Sequence, residues 1–198
     1  HGKDLEAIIS ETDGFLPEEQ VLTWGIELCD VLAYIHAHKP DPIIFRDMKP
    51  SNVMINHNGD VILVDFGIAK TFQTGVKGTM IGTEGYSPPE QYRGEATPLA
   101  DIYALGATLH HALSRRDPRL EPPFSFAERP IRKMNPAVSP ELEAVIAREG
   151  IRIAIRNIRR DALNDMRDFE KEKLISEDDL ERGEVDLQKL TDKFIEEI

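Results

Sequence analysis

Apolar residues recur at helical spacing between Val21 and His38: Val21, Leu22, Ile26, Cys29, Leu32, Ala33, Ile35 and His36. The spacing predicts an amphipathic helix with Cys29 on its buried face. Pro40 and Pro42 stop it, because proline cannot continue the backbone ladder. Two short β-branched runs, Val53-Met54-Ile55 and Val61-Ile62-Leu63-Val64, flank His57-Asn58-Gly59-Asp60. They predict a β-hairpin turning at Asn58-Gly59, a dipeptide that tolerates the positive φ of a tight turn. Residues 65–98 hold many Gly, Thr and Pro and show no period, which predicts a long loop, and long loops in compact domains are usually functional. Asp101–Ser114 reads as an apolar helix, and Ser139 followed by Pro140 predicts the cap and first position of another.

The pattern changes beyond residue 148. Ile151, Ile155, Ile158, Ala162, Met166 and Phe169 form one stripe at spacings of three and four. Leu180, Leu187, Leu190, Phe194 and Ile198 form a second, opened by Ser176 and Asp179 in the manner of a capping box. Two long helices joined near Ile175-Ser176 are predicted to pack as an antiparallel hairpin. Their unfilled apolar surface predicts self-association.

Composition draws the same division. All 13 prolines lie at or before Pro140, and the last 51 residues are densely charged. The reading is therefore two domains, residues 1–147 and 148–198. The net charge of −12 disfavours non-specific binding to nucleic acid or to an anionic membrane, except through a local basic stripe. One cysteine excludes an internal disulfide framework. No apolar run reaches the roughly 18 residues of a membrane span, and no signal-peptide pattern occurs, so a cytoplasmic location is expected. The first residue is His1, so the chain is expected to be a piece of something longer.

Polar residues cluster around the predicted hairpin: Asp47, Lys49 and Asn52 before it, Asp65 after it. Folding the hairpin back brings Asn52 and Asp65 to one end, where a carboxylate and an amide oxygen make a hard site suited to Mg²⁺. Asp47 is a candidate proton acceptor for a hydroxyl nucleophile, and Lys49 a candidate to neutralise a transferring phosphoryl group.

Four stretches occur in order: Phe45-Arg46-Asp47-Met48-Lys49-Pro50-Ser51-Asn52, Asp65-Phe66-Gly67, Gly82-Thr83-Glu84-Gly85-Tyr86-Ser87-Pro88-Pro89-Glu90 and Asp101-Ile102-Tyr103-Ala104-Leu105-Gly106. Together they resemble the catalytic, C-terminal lobe of a bacterial serine/threonine protein kinase over residues 1–146. The resemblance implies a mainly α fold with a small β-hairpin, and phosphoryl transfer from Mg-ATP to a Ser or Thr hydroxyl of a protein substrate. It implies that Asp47 orients and deprotonates that hydroxyl, that Lys49 contacts the γ-phosphate, and that Asn52 and Asp65 hold Mg²⁺. Thr83 is implied to sit against Asp47 and Lys49 where substrate docks, and Asp101 to accept hydrogen bonds from the catalytic-loop backbone. Arg46 is implied to bind a phosphate on Thr71, Thr74 or Thr79.

The chain also departs from that pattern. Phe45 stands where the family has histidine, and Pro88 where it has alanine. Glu90 is implied to pair with an arginine of later helices that do not follow here. No glycine-rich loop or ATP-binding lysine precedes these motifs, so weak or no activity is expected of the chain alone.

Residues 148–162, 175–179 and 187–195 resemble the C-terminal helices of ribosome recycling factor. That resemblance implies a helical module for ribosome and rRNA binding in translation, with Arg152, Arg156, Arg159 and Arg160 as RNA-phosphate contacts. It is the alternative reading of function, with the kinase part inert. A natural fusion, an engineered chimera and a misjoined sequence each account for such a chain.

Overall fold

A computed structural model describes residues 2–68, 70–71, 82–95 and 97–196, except the side chains of 68, 70, 71, 149–158, 161 and 194–196. It divides into two compact units, His1–Gly150 and Ile151–Ile198.

The first unit opens with β1 (Lys3–Asp4) and α1 (Leu5–Glu11), joined by Asp4, whose Oδ1 accepts from the Ala7 amide at 2.8 Å and caps the helix. Helix α2 (Glu18–His36) follows, ending before Pro40 as expected. Its buried face is Val21, Trp24, Gly25, Leu28, Leu32 and Ile35. Val21, Leu32 and Ile35 are buried as expected, whereas Leu22, Ile26 and Cys29 are exposed, which corrects that part of the expected face and the expected burial of Cys29. Both stripes have helical spacing, and only the neighbours decide between them. Trp24 Nε1 donates to the Gly59 carbonyl at 3.1 Å, and Glu27 accepts from the Val61 amide at 2.7 Å, so the hairpin seats on the Trp24 side.

Strand β2 (Ile43–Ile44) leads into the segment 45–52, and β3 (Val53–Ile55) and β4 (Val61–Leu63) form the hairpin. The turn is where the sequence put it. Asn56 Oδ1 accepts from the Asn58 and Asp60 amides, and Gly59 takes φ 92°. The hairpin is not alone, however. β1 pairs antiparallel with β3 to make a three-stranded sheet, Lys3 opposite Ile55. Gly2 allows this approach, since a Cβ there would stand 2.1 Å from the Ile55 carbonyl oxygen. The region read as one long loop also holds structure: β5 (Lys70–Thr71) pairs with β2, and α3 (Pro89–Tyr92) is a short helix.

Helix α4 (Pro98–Ser114) is the core of the unit. Thirteen of its residues are buried, on every side, as a helix with four alanines and one glycine permits. A Cβ on Gly25 of α2 would stand 3.2 Å from Leu109 of α4, which shows how closely the two helices approach. Helix α5 (Pro140–Lys171) begins as read, with Ser139 Oγ accepting from the Leu142 amide.

The second unit holds the rest of α5 and helix α6 (Glu177–Glu196). Ser176 and Asp179 cap α6 reciprocally: the Asp179 amide donates to Ser176 Oγ at 3.1 Å, and the Ser176 amide to Asp179 Oδ2 at 3.3 Å. The Ser176 bonds hold the Asp179 carboxyl below its ordinary pKa. Arg167 pairs with Glu184 at 3.1 Å, and Met166 lies against Gly183. Leu190 and Phe169 are half exposed. No helix among the described residues is long and apolar enough to cross a membrane.

Candidate active site

The segment after β2 is built on one buried carboxylate. Asp101, fully buried on α4, accepts from the amides of Phe45 at 2.8 Å and Arg46 at 2.7 Å, and bonds His36 Nε2 at 2.8 Å. This grip holds Arg46 at φ 69°, a region that non-glycine residues rarely occupy and that functional loops often use. The Arg46 guanidinium is buried, and burial lowers its pKa from the ordinary arginine value. Phe45 is fully buried and meets the Phe66 ring edge-to-face at 5.1 Å. An aromatic ring therefore fills position 45, while the Phe45 amide donates to Asp101.

Asp47 follows and gathers three partners. Its Oδ1 accepts from Thr83 Oγ1 at 2.6 Å, and its Oδ2 pairs with Lys49 Nζ at 2.9 Å. Asn52 Nδ2 donates to the Asp47 carbonyl and to Oδ2, both at 2.8 Å. Lys49 Nζ also donates to Thr83 Oγ1 at 3.0 Å. Asp47, Lys49 and Thr83, separated by up to 36 positions, thus form one hydrogen-bonded triangle.

Asn52 spends its amide hydrogens on Asp47, which leaves Oδ1 for a hard cation. Its backbone carbonyl accepts from the Val64 amide at 2.9 Å, and the register sets Val53 opposite Leu63. Asp65 therefore emerges at the same end of the hairpin, exposed and at φ 64°, with Oδ1 accepting from the Gly67 amide. One amide oxygen and one carboxylate at that end are chemically suited to Mg²⁺.

The turn carrying Thr83 has its own support. The Thr83 carbonyl accepts from the amides of Tyr86 and Ser87, both at 3.1 Å. Tyr86 is buried, and its hydroxyl bonds His111 Nδ1 at 2.7 Å. Burial raises the Tyr86 pKa and lowers that of His111, which favours the neutral form of each. A cleft beside Thr83 is lined by Gly82, Glu84, Gly85, Tyr92, Pro123 and Phe124. Glu90 is buried and has an interaction partner.

The remaining sequence candidates fall elsewhere. Thr71 lies in β5 with only its backbone described, and Thr74 and Thr79 lie outside the described residues. The side chains of Arg152 and Arg156 also lie outside them. Arg159 donates to Gln188, and Arg160 has a partner as well. Two contributors escaped the sequence reading. His36 looked like one more position on a helix face, and Gln91 carried no pattern signal.

The family model described as "Ribosome recycling factor" matches residues 143–198. A probable serine/threonine-protein kinase of Corynebacterium efficiens is 39% identical over 134 residues, covering 64% of this chain and 20% of the relative. Serine/threonine-protein kinase PknB of Mycolicibacterium smegmatis is 35% identical over 152 residues, covering 70% and 24%. PknB of Mycobacterium leprae is 34% identical over 158 residues, covering 73% and 25%. The chain therefore spans only a fifth to a quarter of the length of these curated relatives. The family model described as "Protein kinase domain" matches residues 1–141, most of the chain, and it is to the protein kinase family that this chain belongs.

Proposed function

We propose that the first unit transfers a phosphoryl group from Mg-ATP to a serine or threonine hydroxyl of a protein substrate. The observation that carries this reading is the Asp47–Lys49–Thr83 triangle. Asp47 accepts the proton of the attacking hydroxyl at the second lone pair of Oδ1, beside the hydrogen bond from Thr83. Lys49 presents its ammonium to the oxygens that gain charge, beside the same carboxylate. Thr83 fixes the orientation of Asp47 from the substrate side. Mg-ATP supplies the phosphoryl group when bound, and Asn52 Oδ1 and Asp65 are the residues that would hold its metal. Slow turnover by residues 1–198 alone, and a cytoplasmic location, belong to the same proposal. Phosphotransfer from radiolabelled ATP to a Ser/Thr peptide, with Asp47→Asn as control, is the test. Equal transfer by the two proteins removes the reading.

The match over residues 143–198 favours a second reading for the second unit. Residues 148–167 hold six arginines against three acids inside an acidic protein. Like charges crowded along one helix cost stability, so a polyanion is a fitting partner. The proposal is a helical hairpin of recycling-factor type that meets ribosomal RNA through Arg152, Arg156, Arg159 and Arg160. RNA binding by the full chain should weaken with salt, and replacing Arg152, Arg156 and Arg159 by alanine should flatten that dependence. An unchanged salt slope removes the RNA reading. The exposed apolar residues Ile26, Phe169 and Leu190 support self-association. A monodisperse 22.4 kDa species in light scattering at micromolar concentration excludes it.

A further inference from the structure

Gln91 of α3 is 1% exposed, and its side-chain amide joins two segments. Nε2 donates to the Arg46 carbonyl oxygen at 2.6 Å and to Ser87 Oγ at 3.1 Å. The Arg46 carbonyl belongs to the peptide group that carries the Asp47 nitrogen. The Arg46 amide, on the other side of that residue, is held by Asp101. The left-handed Arg46 is thus gripped from α4 at its nitrogen and from α3 at its carbonyl. Ser87, the second acceptor, donates its own amide to the Thr83 carbonyl, so the same side chain reaches the turn that bears Thr83.

The sequence makes room for this contact. A Cβ on Gly82 would stand 2.4 Å from Ser87 Oγ and 2.8 Å from Gln91 Nε2, so a side chain there would push the amide away. A carboxamide suits the position because it has two hydrogens for two acceptors. A glutamate of the same shape would have none to donate and would face the Arg46 carbonyl with a negative charge.

We propose that Gln91 is a positioning residue that ties the backbone before Asp47 to the Thr83–Ser87 turn, so that base and substrate-docking turn move as one body. The catalytic part of this statement rests on the kinase reading given above; the coupling of the two segments does not.

The test uses the full 198-residue chain, with Gln91→Met, which keeps the volume and removes both donors, and Ser87→Ala, which removes one acceptor. Amide hydrogen exchange is followed over residues 44–48 and 82–88, beside kcat and KM for ATP and peptide. In Gln91→Met both segments should exchange faster together, by about tenfold. The kcat should fall by up to about a hundredfold while KM for ATP stays within about twofold, as misplacement of a base requires. A lower melting temperature with wild-type kcat and wild-type exchange at 44–48 overturns the proposal, because that is a packing role only. If Gln91→Met does not fold, Ser87→Ala decides: faster exchange in both segments supports the tie, and faster exchange confined to 82–88 overturns it. If the wild type transfers no more phosphate than Asp47→Asn, the kinase reading fails. The exchange data alone then decide the coupling by the same criteria.

Discussion

The Thr83 hydroxyl donates a 2.6 Å hydrogen bond to Oδ1 of Asp47, across 36 positions of sequence. The bond takes one lone pair of Oδ1 and, on the kinase reading proposed above, leaves the other for a substrate hydroxyl. On that reading, base orientation and substrate docking are one geometric problem. Replacing Asp47 by asparagine should lower kcat by about 10²–10⁴, the range of a lost general base. Replacing Thr83 by alanine leaves the carboxylate but frees its rotamer, and should cost on the order of tenfold to a hundredfold. A Thr83→Ala loss as large as that of Asp47→Asn would show that the hydroxyl does more than orient.

Asp101 should dominate the stability of the first unit. Its buried carboxylate satisfies two buried backbone amides and the part-buried His36. Asp101→Ala leaves those donors without an acceptor and should destabilise by about 3–5 kcal/mol in urea unfolding. Asp101→Asn keeps the shape and one acceptor oxygen and should lose less. Equal losses from the two variants would mean that charge, not hydrogen bonding, is what the site requires.

The face of α2 can be checked by paired substitutions. Leu28 is fully buried and Ile26 is 55% exposed. Leu28→Ala should cost about 2–5 kcal/mol through lost burial and the cavity it leaves. Ile26→Ala should stay within roughly 1 kcal/mol. Cys29 should react with a maleimide in the folded protein, because it is exposed. The reaction should run more slowly than for a free thiol at neutral pH, since partial desolvation and Asp30 raise its pKa. Protection of Cys29 until unfolding would restore the face first read from the sequence.

His110 sets an acid limit on stability. It is buried on α4, and burial pushes its pKa down to about 4 from the ordinary 6.5. The unfolded chain therefore binds this proton at higher pH than the folded one. The stabilisation is complete above about pH 6.5 and is lost as pH falls toward 4, by on the order of 2–3 kcal/mol. The hydrogen bond from His110 to the Arg129 carbonyl opposes the shift but does not reverse it. Urea midpoints at pH 7 and pH 4.5 should differ accordingly, and His110→Phe should reduce the difference. An unchanged pH dependence in that variant would assign the acid sensitivity to other groups.

The sequence by itself determined what depends on neighbours along the chain. The Asn58-Gly59 turn, the Ser139-Pro140 start of α5 and the Ser176–Asp179 cap all formed as read, because each needs only a few adjacent residues. The order of the four kinase-like stretches named the candidates Asp47, Lys49, Asn52, Asp65 and Thr83, because each motif is a local run of residues. Tertiary structure decided whatever needed a distant partner. Leu22-Ile26-Cys29 and Trp24-Gly25-Leu28 are equally helical stripes, and only the hairpin and α4 settle which is buried. Two-residue strands such as Lys3–Asp4 and Ile43–Ile44 carry no periodicity, so they exist only once β3 and β5 offer hydrogen bonds. His36 and Gln91 have ordinary letters in ordinary places. They take their roles from a carboxylate 65 residues away and a carbonyl 45 residues away, contacts that form only when the folded core brings them into reach.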